Sequence, residues 1–560
     1  MYARPITRRD VFLVLFGACS MYIWSFIFNR PREHSVLLST PIDLNINEPE
    51  PNVSTPNAPT TVSTTAPPER DRDPLIGPSD PMTSLPHTSI LAHAPGWTLF
   101  KNLYMANGTL LIVSPSNDSF PPIRMMTSPG YPAEATPEDM ALREPKAEHM
   151  DFLTPEQAEK RWKASGTEST TYRVWSVKGN TILFNDPRQF LRHYYHFVAE
   201  LILGTWAFWH GAFTKPSSDN SLSLSYSNAS YPPPIHRVIF AHSDSDGWHD
   251  NPAFDAYFFR AALPYVTVEE QRAWEDRIVT TVPRSSDLAT NRAWHFPLVL
   301  LTDRSASFRG PICGRTQRTA AEAWEYMLTK NQLIGVHAAR WWDPLRETVW
   351  RFAGVNTPDA VNWMKQSFNR EGLATKSDKE VTPSLVREGA FQELLPVPQK
   401  IVITYISRQL GPRRKLLDDA HDDLLLAISE LVTRRKVKGE EWEFRHVNAQ
   451  RLSKDEQIRM AADSTIMLGV HGNGLTHLVF MPPTRFSTVI EIFYPKGFAH
   501  DYEWTATAMG MKYFGVWNDT HFTLPNEPTV NYPPGFQENS IPVHGPSVAK
   551  LIEDRVDGRI

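Results

Sequence analysis

Residues 465–475 read Thr-Ile-Met-Leu-Gly-Val-His-Gly-Asn-Gly-Leu. A short apolar run ends abruptly at His471, and an apolar stretch resumes after Gly474. Such a run, bounded by turn residues, reads as a strand buried on both faces, and the stretch beyond it reads as a short helix. Gly469, Gly472, Asn473 and Gly474 form the connection. Glycines let a backbone approach an anion closely, and a helix N-terminus behind them presents free N–H groups and the positive end of a dipole. His471 stands at the mouth of this turn, where an imidazole can meet a phosphate or ribose oxygen. An ordinary strand-to-helix connector accounts for the same glycines. The esterase oxyanion loop, another user of a His-Gly-Asn-Gly string, requires a G-x-S-x-G elbow, and the chain has none.

Outward from this stretch the pattern repeats. Residues 401–406 (IVITYI) form a buried strand, followed by a loop with Arg408, Arg413 and Arg414 and an amphipathic helix through Leu431. Residues 443–447 are a short strand. Ser453 and Glu456 make a capping box that opens a helix ending near Asp463. Residues 489–493 and 513–517 are further strands, with a helix at 501–509 between them. Strands alternating with helices give a doubly wound parallel sheet, which binds its ligands outside the carboxyl ends of its strands. Arg408 leaves the first of these strands at that edge, placed for a bidentate contact to a diphosphate or for a surface ion pair. Glu491 lies within an apolar strand. It is expected at the edge, gripping a ribose hydroxyl, since a free buried carboxylate is too costly to keep; an internal partner is the alternative.

The first half is α/β as well, with strands expected at 181–184, 237–242 and 296–302. Polar, Pro-containing insertions occupy 215–234 and 375–398, and the second sets a boundary between lobes at 96–395 and 396–560. In Tyr194-Tyr-His-Phe-Val-Ala-Glu200, His196 and Glu200 are four apart and share one helical face. A carboxylate beside an imidazole raises its basicity and sets its tautomer, which suits a general base; a satisfied polar pair on a helix has the same spacing. H-E-x-x-H is absent, so no metal site is assigned there. Asp244-Ser-Asp246 follows a strand and reads as a turn or as a pair of carboxylates holding a divalent cation on a donor diphosphate.

The chain has 560 residues, 41% of them hydrophobic, enough for a large core, and its formal net charge of -5 gives no reason to expect a nucleic-acid partner. Its 17 Trp, 17 Tyr and 29 Phe suit sugar-binding walls, but a large core uses aromatics in the same numbers. Of two cysteines, Cys19 lies in the apolar N-terminal run, so Cys313 has no intramolecular partner in the folded part. Residues 11–28 (VFLVLFGACSMYIWSFIF) hold no charge and reach about 27 Å as a helix, enough for a thin bilayer. They read as an uncleaved type II anchor behind a cytoplasmic tail at 1–10, with a cleaved signal peptide as the alternative. Residues 29–95 are rich in Pro, Ser and Thr and read as a disordered stem. Sequons at Asn52, Asn107, Asn117, Asn228 and Asn518 fit a luminal catalytic part.

Tyr-Tyr-His196-Phe, Ile-Ser-Arg408, Ser453 to Glu456-Gln457, Gly469-Val-His471-Gly-Asn-Gly474-Leu-Thr, Phe480-Met-Pro-Pro and Val-Ile-Glu491, in this order, resemble glycosyltransferase family 61. The resemblance runs over 194–517 and is more specific in its second half. It implies a GT-B architecture of two Rossmann-type lobes and inverting transfer from a UDP-sugar, GlcNAc or xylose being expected. It also implies no cofactor and no required divalent metal. Arg408, Gly469, His471, Gly472, Asn473, Gly474 and Glu491 are the expected donor-binding residues, and His196 with Glu200 the catalytic ones. The acceptor is expected to be a glycoprotein or polysaccharide, and the compartment the Golgi or endoplasmic reticulum. A catalytically inactive glycan-binding or scaffold protein on the same fold is the alternative; turnover of a UDP-sugar discriminates.

Overall fold

The computed structural model describes residues 79–132, 136–164, 170–213, 232–283, 291–315, 318–330, 333, 340–368, 392, 393 and 395–560. All of these lie in one compact unit, Asp71–Ile560. The anchor at 11–28, the stem up to residue 78 and most of both insertions lie outside the described residues. Residues 79–95, expected as the end of a disordered stem, already carry a paired strand at Ser89–Ala94 with Ala92 and Ala94 buried, so the folded part begins before 96. Among the described residues no helix is long and apolar enough to cross a membrane.

Two sheets organise the chain. The first contains β1 (Ser89–Ala94), β2 (Trp97–Ala106), β3 (Thr109–Val113), β4 (Met150–Leu153), β5 (Val174–Ser176), β6 (Asn180–Pro187), β7 (Arg237–His242), β8 (Thr267–Glu269) and β9 (Ala293–Thr302). Its main path runs β4-β3-β2-β9-β6-β7-β8. The half from β9 to β8 is parallel, but β2 runs antiparallel to β1, β3 and β9. The sheet is therefore mixed, which corrects the expectation of a doubly wound first lobe. The physical cause is local. Asn107 and Gly108 both have positive φ, 54° and 82°, as a two-residue hairpin turn with the strands' twist demands, and the chain folds straight back on itself.

The second sheet has β10 (Ile401–Ile406), β11 (Trp442–Val447), β12 (Ile466–Val470), β13 (Thr488–Ile492), β14 (Lys512–Trp517) and β15 (Thr520–Phe522), in the order β11-β10-β12-β13-β14-β15. The first five strands are parallel and follow the 2-1-3-4-5 order of doubly wound sheets, whose direction of winding reverses between β10 and β12. β15 pairs antiparallel with β14 and was not anticipated from the sequence. Every residue of β10, β12 and β13 is buried, because helices cover both faces. Asp418–Val437 and Gly545–Val556 pack Leu424, Ile428, Leu431 and Leu551 against Ile403, Ile466 and Ile490 on one face. Each such side chain contributes about 1.5–3 kcal/mol when fully buried.

The opposite face carries the helices Lys454–Ala462, Asn473–Phe480 and Asp501–Ala508, and its core is continuous with that of the first sheet's helices. The capping box of Ser453 and Glu456 is present. Trp341, Trp342 and Trp350 donate their indole N–H groups to the carbonyls of Ala508, Val479 and Phe480 at 2.9, 3.1 and 2.9 Å. The tryptophans thus serve the core. Buried indoles with satisfied N–H groups stitch the segment 340–368 onto the second sheet. Cys313 is buried and free.

Candidate functional site

At the reversal point a crevice of ≈ 230 Å³ opens between the carboxyl ends of β10 and β12. Ile406, Ser407 and Arg408 form one wall, and Val470, Asn473 and Gly474 form the other. β12 pairs with β10 so that Gly469 lies opposite Ile406, and a Cβ on Gly469 would come within 3.1 Å of the Ile406 carbonyl oxygen. Gly472 leaves room for Arg408, since a Cβ there would lie 2.3 Å from its Nη1. The loop glycines are thus required by close approach to β10 and its arginine. The helix behind them, Asn473–Phe480, is 3₁₀ in character.

Arg408 and the nearby Arg414 each bury an Nε–H that has no hydrogen-bond partner among the described residues. Burial, then the Arg414 charge, pushes Arg408 down to about 10, so it remains a cation at neutral pH. A half-buried cation with an unused donor, facing a crevice, is built for an anion.

His471 and Glu491 form a different unit. Glu491 is fully buried, which corrects its expected place at the edge. Its Oε1 lies 2.5 Å from His471 Nδ1, and its Oε2 accepts a hydrogen bond from the Tyr513 hydroxyl at 2.6 Å. The physical reason is that a carboxylate this deep persists only with internal partners, and it has two. Burial pushes the His471 imidazole down to about 3 and the Glu491 carboxyl well above the usual range. His471 is therefore an oriented neutral ring, stacked on Phe493, with Nε2 3.8 Å from Asp501 Oδ2. Asn473 also faces inward: its Oδ1 accepts the Tyr195 backbone N–H at 3.0 Å, tying the loop to the first half of the chain.

A larger cleft of ≈ 720 Å³ opens beside the first sheet, with His196, Glu200, Phe190, Arg304, Phe308 and Arg318 in its lining. His196 and Glu200 lie on a π-helical segment, Tyr195–Ile202, and meet with Nδ1 and Oε2 2.5 Å apart. The same Oε2 accepts from Arg304 Nη1 at 2.6 Å, and Arg304 Nε reaches Asp186 at 3.1 Å. Burial alone would raise Glu200, but Arg304 and then His196 outweigh it and hold the carboxyl well below its ordinary value. Glu200 is thus a fixed anion that accepts the Nδ1–H of His196 and orients the ring. Arg318, in the lining of this larger cleft, pairs with Asp501 on the second half, while the Tyr195 hydroxyl donates to the Asp501 carbonyl at 2.8 Å.

A family model described as Glycosyltransferase 61 matches residues 194–490, more than half of the chain and the stretch that holds both clefts' central residues. The chain belongs to the glycosyltransferase 61 family. A relative, the EGF domain-specific O-linked N-acetylglucosamine transferase of Drosophila melanogaster, is 33% identical over 98 residues. That stretch is 18% of this chain and spans only 16% of the relative.

In this family 61 chain Asp244 and Asp246 sit in an exposed turn closed by the Gly247 N–H to the Asp244 carbonyl at 3.0 Å, and Asp244 lies 3.5 Å from Arg188. They line neither cleft, in keeping with the turn reading. Three site residues escaped the sequence reading. Arg304 leaves the carboxyl end of β9 as Arg408 leaves that of β10, a signal that was available. Arg318 and Asp501 carry no comparable mark, because their meeting joins segments distant in the chain.

Proposed function

We propose that this family 61 chain is an inverting glycosyltransferase that moves a sugar from UDP to a hydroxyl of a glycoprotein or glycan. Its frame is of a two-lobed, GT-B-like type, with an acceptor side built on the mixed first sheet from β1 onward and a donor lobe at 396–560. The observation that carries this reading is the pair of buried, unpartnered Nε–H donors of Arg408 and Arg414 beside the reversal point of the second sheet. A diphosphate supplies the missing acceptors, and the arginines and loop N–H groups take up the leaving-group charge without a divalent cation. His196 Nε2 removes the acceptor proton while Glu200 and Arg304 hold the ring. The relative's name includes N-acetylglucosamine, which favours GlcNAc over xylose as the sugar.

Calorimetric titration of UDP tests the assignment. Losing a charge-assisted hydrogen bond costs about 1.5–3 kcal/mol, so Arg408→Ala should weaken UDP binding roughly ten- to a hundredfold. Unchanged affinity removes the diphosphate from this crevice. UDP binding without turnover of any UDP-sugar returns the inactive scaffold.

The same proposal places the chain in the Golgi or endoplasmic reticulum membrane as a single-pass type II protein anchored by 11–28. The sequon residues Asn107, Asn117 and Asn518 are all exposed, as luminal glycosylation needs. Glycosidase should reduce the mass of the expressed protein, and carbonate extraction should leave it in the membrane. A soluble product that begins near Ser20 would establish signal cleavage instead.

A further inference from the structure

At the start of the helix Asp501–Ala508 lies a second polar cluster that the proposed reaction does not use. His500 precedes the helix Asp501–Ala508, Glu503 lies in its first turn, and Glu527 comes from the segment after β15. One ligand atom from each falls within 4.8 Å of the other two. His500 Nδ1 is 3.0 Å from Glu503 Oε2 and 3.8 Å from Glu527 Oε2. The side chains of Glu503 and Glu527 are only 3% and 6% exposed.

Two facts separate this cluster from ordinary surface acids. Glu527 points a carboxylate at the group, yet its buried Oε1 has no hydrogen-bond partner among the described residues. Glu503 spends its Oε1 on the Thr507 hydroxyl at 3.3 Å, which leaves its Oε2 for the cluster, 3.0 Å from His500 Nδ1. Two adjoining buried carboxylates with an orphaned oxygen require a positive charge or a shared proton.

We propose that His500, Glu503 and Glu527 bind one divalent cation of Zn²⁺ type, with a water completing the fourth position, at a site separate from any donor diphosphate. The geometry suits that ion. Donors about 2.1 Å from a tetrahedral centre stand about 3.4 Å apart, and the observed 3.0 and 3.8 Å bracket this spacing. One imidazole and two carboxylates are a borderline N/O set; Mg²⁺ and Ca²⁺ ask for six or more oxygens. The cation would clamp the segment carrying Glu527 onto the start of the helix whose first residue, Asp501, holds Arg318 and faces His471. It therefore braces the Asp501 end of that helix, and through it Arg318 in the lining of the larger cleft, without touching substrate. The inference stands on this cluster alone and is independent of the donor assignment.

The test uses the purified full-length chain, stripped with EDTA and dialysed, with ZnCl₂ as the only added ligand. Calorimetry should show about one equivalent bound and a raised Tm, with MgCl₂ giving neither. Glu527→Gln should weaken Zn²⁺ binding about tenfold or more while its metal-free Tm and far-UV circular dichroism match the parent's. No saturable Zn²⁺ binding, or equal binding by Glu527→Gln, overturns the proposal in favour of a shared proton. Should Glu527→Gln fail to fold, X-ray absorption of the Zn²⁺-loaded parent decides: one imidazole with oxygen donors supports the site, and two or more imidazoles, or sulfur, refute it.

Discussion

The two clefts treat arginine in opposite ways. On the second sheet, Arg408 and Arg414 keep an Nε–H unspent, and no carboxylate of the described residues pairs with Arg408. On the first, Arg304 is held by both Asp186 and Glu200, and Arg309 by Glu144. Arg304 Nη2 is likewise buried without a hydrogen-bond partner among the described residues, so the difference lies in the paired carboxylates. The one side is a cationic surface waiting for an anion; the other is an internally neutralised frame that holds a histidine. A paired guanidinium orients its neighbours, whereas an unpaired one recruits a ligand. The contrast is the ground on which the proposed function assigns donor recognition and proton transfer to different clefts.

The largest test of this contrast is Arg304→Ala. It strands two buried carboxylates, and breaking a buried pair costs about 3–5 kcal/mol, so urea unfolding should reveal a loss of that size. Arg408→Ala, which pairs with no carboxylate among the described residues, should leave unfolding nearly unchanged. Equal losses would mean that Arg408 also serves the frame. Next comes His196→Ala, expected to cut transfer about a hundredfold or more while UDP affinity is retained. If the folded variant loses UDP binding, the roles of the clefts must be exchanged. The smallest effect belongs to Asp244→Ala with Asp246→Ala, which should alter neither UDP affinity nor transfer. Loss of activity restored by Mn²⁺ would move the donor to the first sheet.

The two sheets also differ in how plainly they were written in the chain. β10, β12 and β13 are buried on both faces, so each is an unbroken apolar run that a reader can find within a residue or two. The helix after β10 runs to Val437, six residues past the expected Leu431, since its last turns, Thr433-Arg-Arg-Lys436, are polar and mostly solvent-facing. In the first sheet β2 and β3 are joined by a hairpin whose Asn107-Gly108 signal was passed over, and β1 and β4 are short and partly exposed. Their pairing depends on partners far along the chain: β2 lies against β9, nearly two hundred residues on. No local pattern encodes that.

By itself the sequence determined the doubly wound sheet, the glycine loop with Arg408 at its edge, and the spacing that makes His196 and Glu200 neighbours. All are local: periodicity, turn chemistry and a four-residue offset act within one element and its flanks. Tertiary structure decided the rest. It buried Glu491 against His471 and Tyr513, gave Glu200 its second partner in Arg304, and paired Arg318 with Asp501 across the two halves of the chain. Those outcomes rest on desolvation and on charges meeting across segments remote in sequence. The cost of burying an ionised group, and the partner that offsets it, exist only once the chain has closed around them.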